Sequence, residues 1–145
     1  MDLILWRHAE AEDGKPDLER KLTPKGHEQA ARIAAWLRAR LPAEFSVISS
    51  PAVRARQTAE ALQVPIKTLR QLSPGASIAA IAEAAGWPRG GRTMIVVGHQ
   101  PDLGRAAAYL LAGKETEWHI EKGGLWWLVG EIPVIVKAVT SPGLL

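Results

Sequence analysis

The stretch Thr93–Gly98, TMIVVG, has no charged residue and no alternation between apolar and polar positions. A strand of this kind suits a sheet whose two faces are both covered, which is the situation of a parallel sheet between layers of helix. Leu3–Trp6 (LILW) is another short apolar run, Phe45–Ser49 (FSVIS) a further strand, and Ile66–Leu69 (IKTL) a weaker one. The segments between them carry helical spacing, so the chain alternates strand and helix.

In TPKGHEQAARIAAWLRARL, Thr23 can cap a helix and Pro24 occupies the first helical position, where its missing N–H costs nothing. Ala30, Ile33, Ala34, Leu37 and Leu41 then recur on one face, and the helix should stop near Pro42. SPAVRARQTAEAL repeats the start signal, with Ser50 as the expected cap and Pro51 at the first position. A short alanine-rich helix is expected from about Ser77 to Ala85, ending at Gly86, and another after His99, ending at Gly113. GLWWLV and PVIVKAV, separated only by GEI, read as a hairpin, with Pro133 placing the last strand at a sheet edge. The expected fold is therefore α/β: a three-layer α/β/α sandwich with a mostly parallel central sheet and an antiparallel C-terminal hairpin. A chain of 145 residues is the right size for one domain, 1–145, burying roughly 70% of its unfolded surface.

Composition narrows the chemistry. Without cysteine there can be no disulfide, thiolate metal site or cysteine nucleophile. No segment reaches the roughly 18 continuous apolar residues of a membrane helix, and the N-terminus lacks the pattern of a signal peptide, so a cytoplasmic location is expected. Eighteen Lys and Arg against fifteen Asp and Glu give a net charge of +3, which suits an anionic ligand but is too small to argue for nucleic acid. Most of these cations, Arg38, Arg40 and Arg56 among them, read as solvated helix surface.

In open parallel sheets, ligands bind at the carboxyl edge, beside helix N-termini whose N–H groups point outward. Three strand exits here carry unusual residues: Arg7 and His8 after the first strand, Arg54 near the start of the helix after the second, and His99 after TMIVVG. Two arginines and two histidines converging there would form a cationic cup for phosphate, in which a neutral imidazole can attack phosphorus while the other groups stabilise its oxygens. Spacing alone leaves the bland alternative open: a histidine hydrogen-bonded in a structural role, and an arginine solvated or paired with a local acid.

The motifs carry more than the spacing. LWRHAEAE resembles the Arg-His-Gly signature of the histidine phosphatase superfamily, whose small SixA-type members often have Ala at the third position. RKLTPKGHEQA is similar to that family's Leu-Thr-x-x-Gly-x-x-Gln-Ala helix start, SSPAVRARQTAE to its Ser-Pro-x-x-Arg-x-x-Gln-Thr segment, and VVGHQPDL to its second-histidine strand exit. The four motifs occur in order from Leu3 to Leu103. The resemblance implies His8 as the phosphorylated nucleophile, with Arg7, Arg54 and His99 completing the phosphate pocket and Arg20 at its rim as a substrate-binding residue. It implies no cofactor and no metal. His27 reads as a structural residue of its helix, and His119 lies in a loop where no spacing suggests a metal ligand. The six tryptophans read as packing, with Trp126 and Trp127 on opposite faces of their strand.

One departure from the family pattern bears on the substrate. Phosphoglycerate mutases and broad phosphatases of the superfamily supply an acidic residue in the loop after the third strand, where this chain reads LRQLSPGAS with no Asp or Glu. An alkoxide leaving group needs a proton, whereas phosphohistidine can leave as neutral imidazole if its ring is already protonated. Asp102, Glu10 and Glu12 are the nearest acids in sequence, and no motif supports any of them. The expectation is a phosphohistidine phosphatase acting on a protein such as a phosphotransfer domain. The alternatives are a small-molecule phosphomonoesterase of the same superfamily and a non-catalytic phosphate-binding module. Neither nucleic acid nor membrane is expected as a partner.

Overall fold

The computed structural model describes residues 1–145. Its six-stranded sheet runs in the order β3-β2-β4-β1-β5-β6. The strands are β1 (Asp2–Arg7), β2 (Phe45–Ser49), β3 (Lys67–Thr68), β4 (Thr93–Gly98), β5 (Leu125–Val129) and β6 (Ile135–Thr140). β1 to β4 are mutually parallel, and β5 and β6 close the sheet antiparallel. The four helices are α1 (Pro24–Arg38), α2 (Val53–Glu60), α3 (Ile78–Ala85) and α4 (Asp102–Ala112).

The two-residue period of the strands divides their side chains between two cores. Ile4, Trp6, Val47, Ile95, Val97 and Trp127 face α1 and α2, meeting Ile33, Leu37, Ala55 and Ala59. Leu3, Leu5, Ile48, Val96 and Leu128 face α3 and α4, meeting Ile81, Leu103, Ala106 and Ala107. Both faces are thus covered, which is the reason Leu3–Trp6 and Ile95–Val97 are apolar without alternation. Trp126 packs on the second core while Trp127 belongs to the first, the opposite placement their adjacency predicts.

The ends of the elements follow their local chemistry. Thr23 caps α1, its hydroxyl accepting from Gly26 N–H at 2.9 Å. Ser77 caps α3 in the same way, and Gly86 and Gly113 end α3 and α4 in the left-handed conformation. α2 differs from expectation. It starts at Val53 behind Ala52 without a side-chain cap, because the Ser50 hydroxyl meets Ala52 N–H and His99 rather than an N–H inside the helix. β6 does lie at the edge, with Pro133 just before it, and Ile135, Val136 and Val139 remain exposed.

Candidate active site

The parallel register builds the site before any side chain is considered. β1 and β4 pair with Arg7 opposite Gly98, and His8 N–H continues the ladder to Gly98 C=O at 3.0 Å. The next residues out, His8 and His99, therefore emerge side by side at the carboxyl edge, with ring centroids 5.2 Å apart. β2 lies on the other side of β4, and Ser50 N–H bonds Val97 C=O at 3.0 Å as that strand ends. This delivers the start of α2, with Arg54 as its second residue, to the same edge.

Motif residues hold the chain around this cup. Thr58 Oγ1 accepts from Ala9 N–H at 3.0 Å and donates to Arg54 C=O at 2.8 Å, tying the loop after His8 to α2. Gln57 Oε1 accepts from Leu22 N–H at 2.8 Å, and Gln29 Oε1 from Glu10 N–H at 2.9 Å. A Cβ added at Gly26 would fall onto the carbonyl oxygen of Glu10, so only glycine lets α1 approach the loop this closely. The Gly, Gln and Gln-Thr of the two helical motifs are thus the clamps of the His8 loop.

His8 Nδ1 lies 2.7 Å from its neighbour's carbonyl, Ala9 C=O. A carbonyl only accepts, so Nδ1 carries the proton and the lone pair resides on Nε2. Burial, assisted by Arg54, Arg7 and Arg20 and opposed by the Ala9 bond, pushes the His8 pKa down to about 4. His99 is 3% exposed, and burial together with the neighbouring His8 and Arg54 pushes its pKa down to about 3. Both rings are neutral at physiological pH. His99 Nε2 is 2.8 Å from Ser50 Oγ, which also accepts from Ala52 N–H at 3.1 Å. The buried hydroxyl has no other acceptor, so its proton goes to His99 Nε2 and the imidazole proton sits on Nδ1.

The arginines are anchored on one side and free on another. Arg7 donates from Nη1 to Ile120 C=O at 2.8 Å; burial lowers its pKa and Glu121 opposes the shift. Arg54, 3% exposed, donates from Nη1 to Asp17 C=O at 2.7 Å and from Nη2 to Asp17 Oδ2 at 3.1 Å. Arg7 Nε, Arg54 Nε and His99 Nδ1 are buried and have no protein partner. Three buried donors around a free imidazole lone pair make a cradle for a tetrahedral oxyanion, since leaving such groups unpaired costs roughly 1–3 kcal/mol each.

Among the other expected residues, Arg20 lies at the rim, its Nε on Asp17 Oδ1 at 3.0 Å and its Nη1 on Glu12 C=O at 3.0 Å. His27 is exposed on α1, and His119 is exposed beside Glu121 at 3.4 Å. Asp102 is withdrawn from the chemistry: its Oδ2 accepts from Gly75 and Ala76 N–H at 2.9 and 3.2 Å, bracing the turn before α3. Glu10 is spent on the Thr23 hydroxyl at 2.7 Å. Ser50 and Asp17 are the two site residues that sequence reasoning missed. Ser50 looked like a helix cap, and Asp17 sits in a loop without periodicity. No group of three or more His, Asp or Glu gathers to hold a metal ion. A groove of about 940 Å³, lined by charged residues such as Lys25, Arg32 and Lys122, opens beside the cup and meets it only through Arg7.

Comparison with known proteins bears on the family and the fold. Residues 3–74 match the model of the histidine phosphatase superfamily, branch 1. An uncharacterized protein of Mycobacterium tuberculosis is 35% identical over 115 residues, covering 77% of this chain and 73% of the relative. One from Picosynechococcus sp. is 33% identical over 138 residues, covering 86% and 82%. Among solved structures, a candidate phosphohistidine phosphatase SixA from Nakamurella multipartitia superposes with a TM-score of 0.83 at 28% identity, covering 97% of this chain and 95% of that one. The protein histidine phosphatase SixA complexed with tungstate superposes with a TM-score of 0.86 at 24% identity, covering 99% of both chains. The chain belongs to the histidine phosphatase superfamily, branch 1, and is accordingly a phosphatase.

Proposed function

We propose that the protein removes phosphate from phosphohistidine carried on another protein, such as a phosphotransfer domain, through a phosphoenzyme at His8. The observation that carries this reading is the His8 Nδ1 to Ala9 carbonyl bond of 2.7 Å, which leaves Nε2 of this half-buried ring as an unprotonated nucleophile. In the first step the Nε2 lone pair attacks phosphorus and the P–N bond to the substrate ring breaks, its electron pair remaining on the ring nitrogen. Arg7, Arg54 and His99 Nδ1–H donate to the phosphoryl oxygens as charge shifts among them. In the second step water attacks phosphorus, its proton leaves with phosphate or to solvent, and His8 departs as neutral imidazole with its proton still on Nδ1. The arginines supply the positive charge, so no metal is required.

Protein phosphohistidine is favoured over phosphate esters because the loop after β3 contains no acid and Asp102 is tied to backbone N–H groups. An ester leaving group would lack its proton donor. The tungstate held by the SixA of the same fold is a tetrahedral oxyanion, the geometry this cradle suits. The decisive experiment measures phosphate release from a phosphohistidine-bearing protein and from a panel of phosphomonoesters, with wild type beside His8→Ala. Release that prefers phosphohistidine and vanishes in the variant is the expected result. Preference for esters would make the protein a small-molecule phosphomonoesterase, and inactivity on both would leave a phosphate-binding module.

A further inference from the structure

Asp17 is the one carboxylate that forms an ion pair with a side chain of the cup. It opens a single 3₁₀ turn, Asp17–Glu19, in the exposed loop between β1 and α1. Its Oδ2 accepts from Arg54 and its Oδ1 from Arg20. The two partners differ sharply in environment, since the Arg54 side chain is 4% exposed and that of Asp17 57%. The carboxylate is thus pinned at the boundary between the buried cradle and solvent. Arg54 donates one hydrogen to this carboxylate and one to the Asp17 backbone carbonyl, two of its five guanidinium N–H groups, leaving the buried Nε–H and one hydrogen on each Nη for an anion. Asp17 and a phosphoryl group can therefore share Arg54 rather than compete for it.

The proposed reaction passes phosphate from one imidazole to another, and on the enzyme side the ring nitrogen that does not react faces an acceptor, the Ala9 carbonyl. Building on that reading, we propose that the Asp17 carboxylate supplies the matching acceptor for the substrate, taking a hydrogen bond from the non-reacting nitrogen of its phosphoimidazole ring and so selecting P–N over P–O bonds. The substrate ring is cationic while it carries both the phosphoryl group and this proton. A carboxylate against its N–H favours that form, and when the P–N bond breaks the electron pair returns to the reacting nitrogen and neutral imidazole leaves. No proton passes to Asp17. The carboxylate is suited to accepting: burial is the largest single influence and raises its pKa, but the hydrogen bonds and charges of Arg54 and Arg20 together outweigh it and hold the pKa below the ordinary range, so it stays ionised. An ionised acid of this kind cannot protonate an alkoxide, which sets the same group against esters. Its charge also reaches His99, where it opposes the depression of that pKa.

The test compares wild type, Asp17→Asn and Asp17→Glu on N-phosphoimidazole and on p-nitrophenyl phosphate, whose phenolate leaves without a proton. The expected result is a tenfold or greater fall in the ratio of kcat/KM for phosphoimidazole over the aryl ester in Asp17→Asn, with partial recovery in Asp17→Glu. A structural role through Arg54 and Arg20 would lower both substrates in proportion, and an unchanged ratio overturns the proposal. A ratio that rises in Asp17→Asn overturns it too, because the carboxylate would then be obstructing the anion. The two readings fail separately. Wild type inactive on phosphoimidazole and on a phosphohistidine protein refutes the P–N function and Asp17's part in it, whereas an active wild type with an unchanged ratio in the variant refutes Asp17 alone.

Discussion

Replacing Ser50 by alanine tests whether the second histidine is held in one tautomer. The Ser50 hydroxyl is fully buried, accepts from Ala52 N–H at 3.1 Å and faces His99 Nε2 at 2.8 Å. Its removal leaves two buried polar groups without a partner. One is a backbone N–H at the start of α2, which concerns stability; the other is His99 Nε2, which concerns catalysis. Each lost partner costs roughly 1–3 kcal/mol. At about 1.4 kcal/mol per tenfold in rate, the His99 share corresponds to a fall in kcat of roughly 5- to 140-fold. The assay is steady-state kinetics on p-nitrophenyl phosphate with urea unfolding in parallel, for Ser50→Ala, His99→Ala and the double variant. Because Ser50 acts through His99, the double variant should be no slower than His99→Ala. Full activity in Ser50→Ala, or rate losses that multiply in the double variant, would refute the tautomer argument.

The low pKa values of both histidines give stability a defined pH dependence. Each ring is neutral in the folded protein and gains a proton in the unfolded chain below about 6.5, so their contribution is fully present above that pH and is lost as pH falls toward about 4 for His8 and about 3 for His99. Unfolding free energies from urea titrations should drop between pH 6.5 and 4 by an amount on the order of a few kcal/mol, and Ala substitution at both positions should flatten that limb. Catalysis should be indifferent to chelation: dialysis against EDTA is expected to leave phosphate release within error of the untreated enzyme, and activity lost to EDTA and restored by a divalent cation would refute a mechanism in which Arg7 and Arg54 carry the positive charge.

How much of this was legible beforehand differs between parts of the molecule. The layers were legible because burial on both faces removes polar positions from β1 and β4, and Pro24, Gly86 and Gly113 mark helix ends by backbone constraint alone. The order of strands was less so, since pairing β1 with β4 joins segments some ninety residues apart and no local pattern encodes it. Ser50 misled for a physical reason. A serine before proline and a helix has the composition of a cap, yet a buried imidazole nitrogen without a partner is the costlier vacancy, and the hydroxyl goes there. Asp17 had no such signal, because its role depends on a loop whose path is fixed by Arg54 and Arg20 rather than by periodicity.

The sheet order also divides the site by how often its parts open. β4 and β1 are the two innermost strands, so the backbone that presents His8 and His99 is expected to exchange its amide hydrogens at close to the cost of global unfolding. Asp17 and Arg20 ride on an exposed loop held by the Asp17 bonds to buried Arg54 and by the solvent-facing bonds of Arg20, and opening such a loop is expected to cost less than opening the sheet. The spacing of the two histidines thus rests on the sheet itself, while the rim rests on the side-chain bonds of Arg54 and Arg20. An imidazole carried on a protein surface would then meet a floor fixed by the sheet and a rim held by side-chain bonds alone.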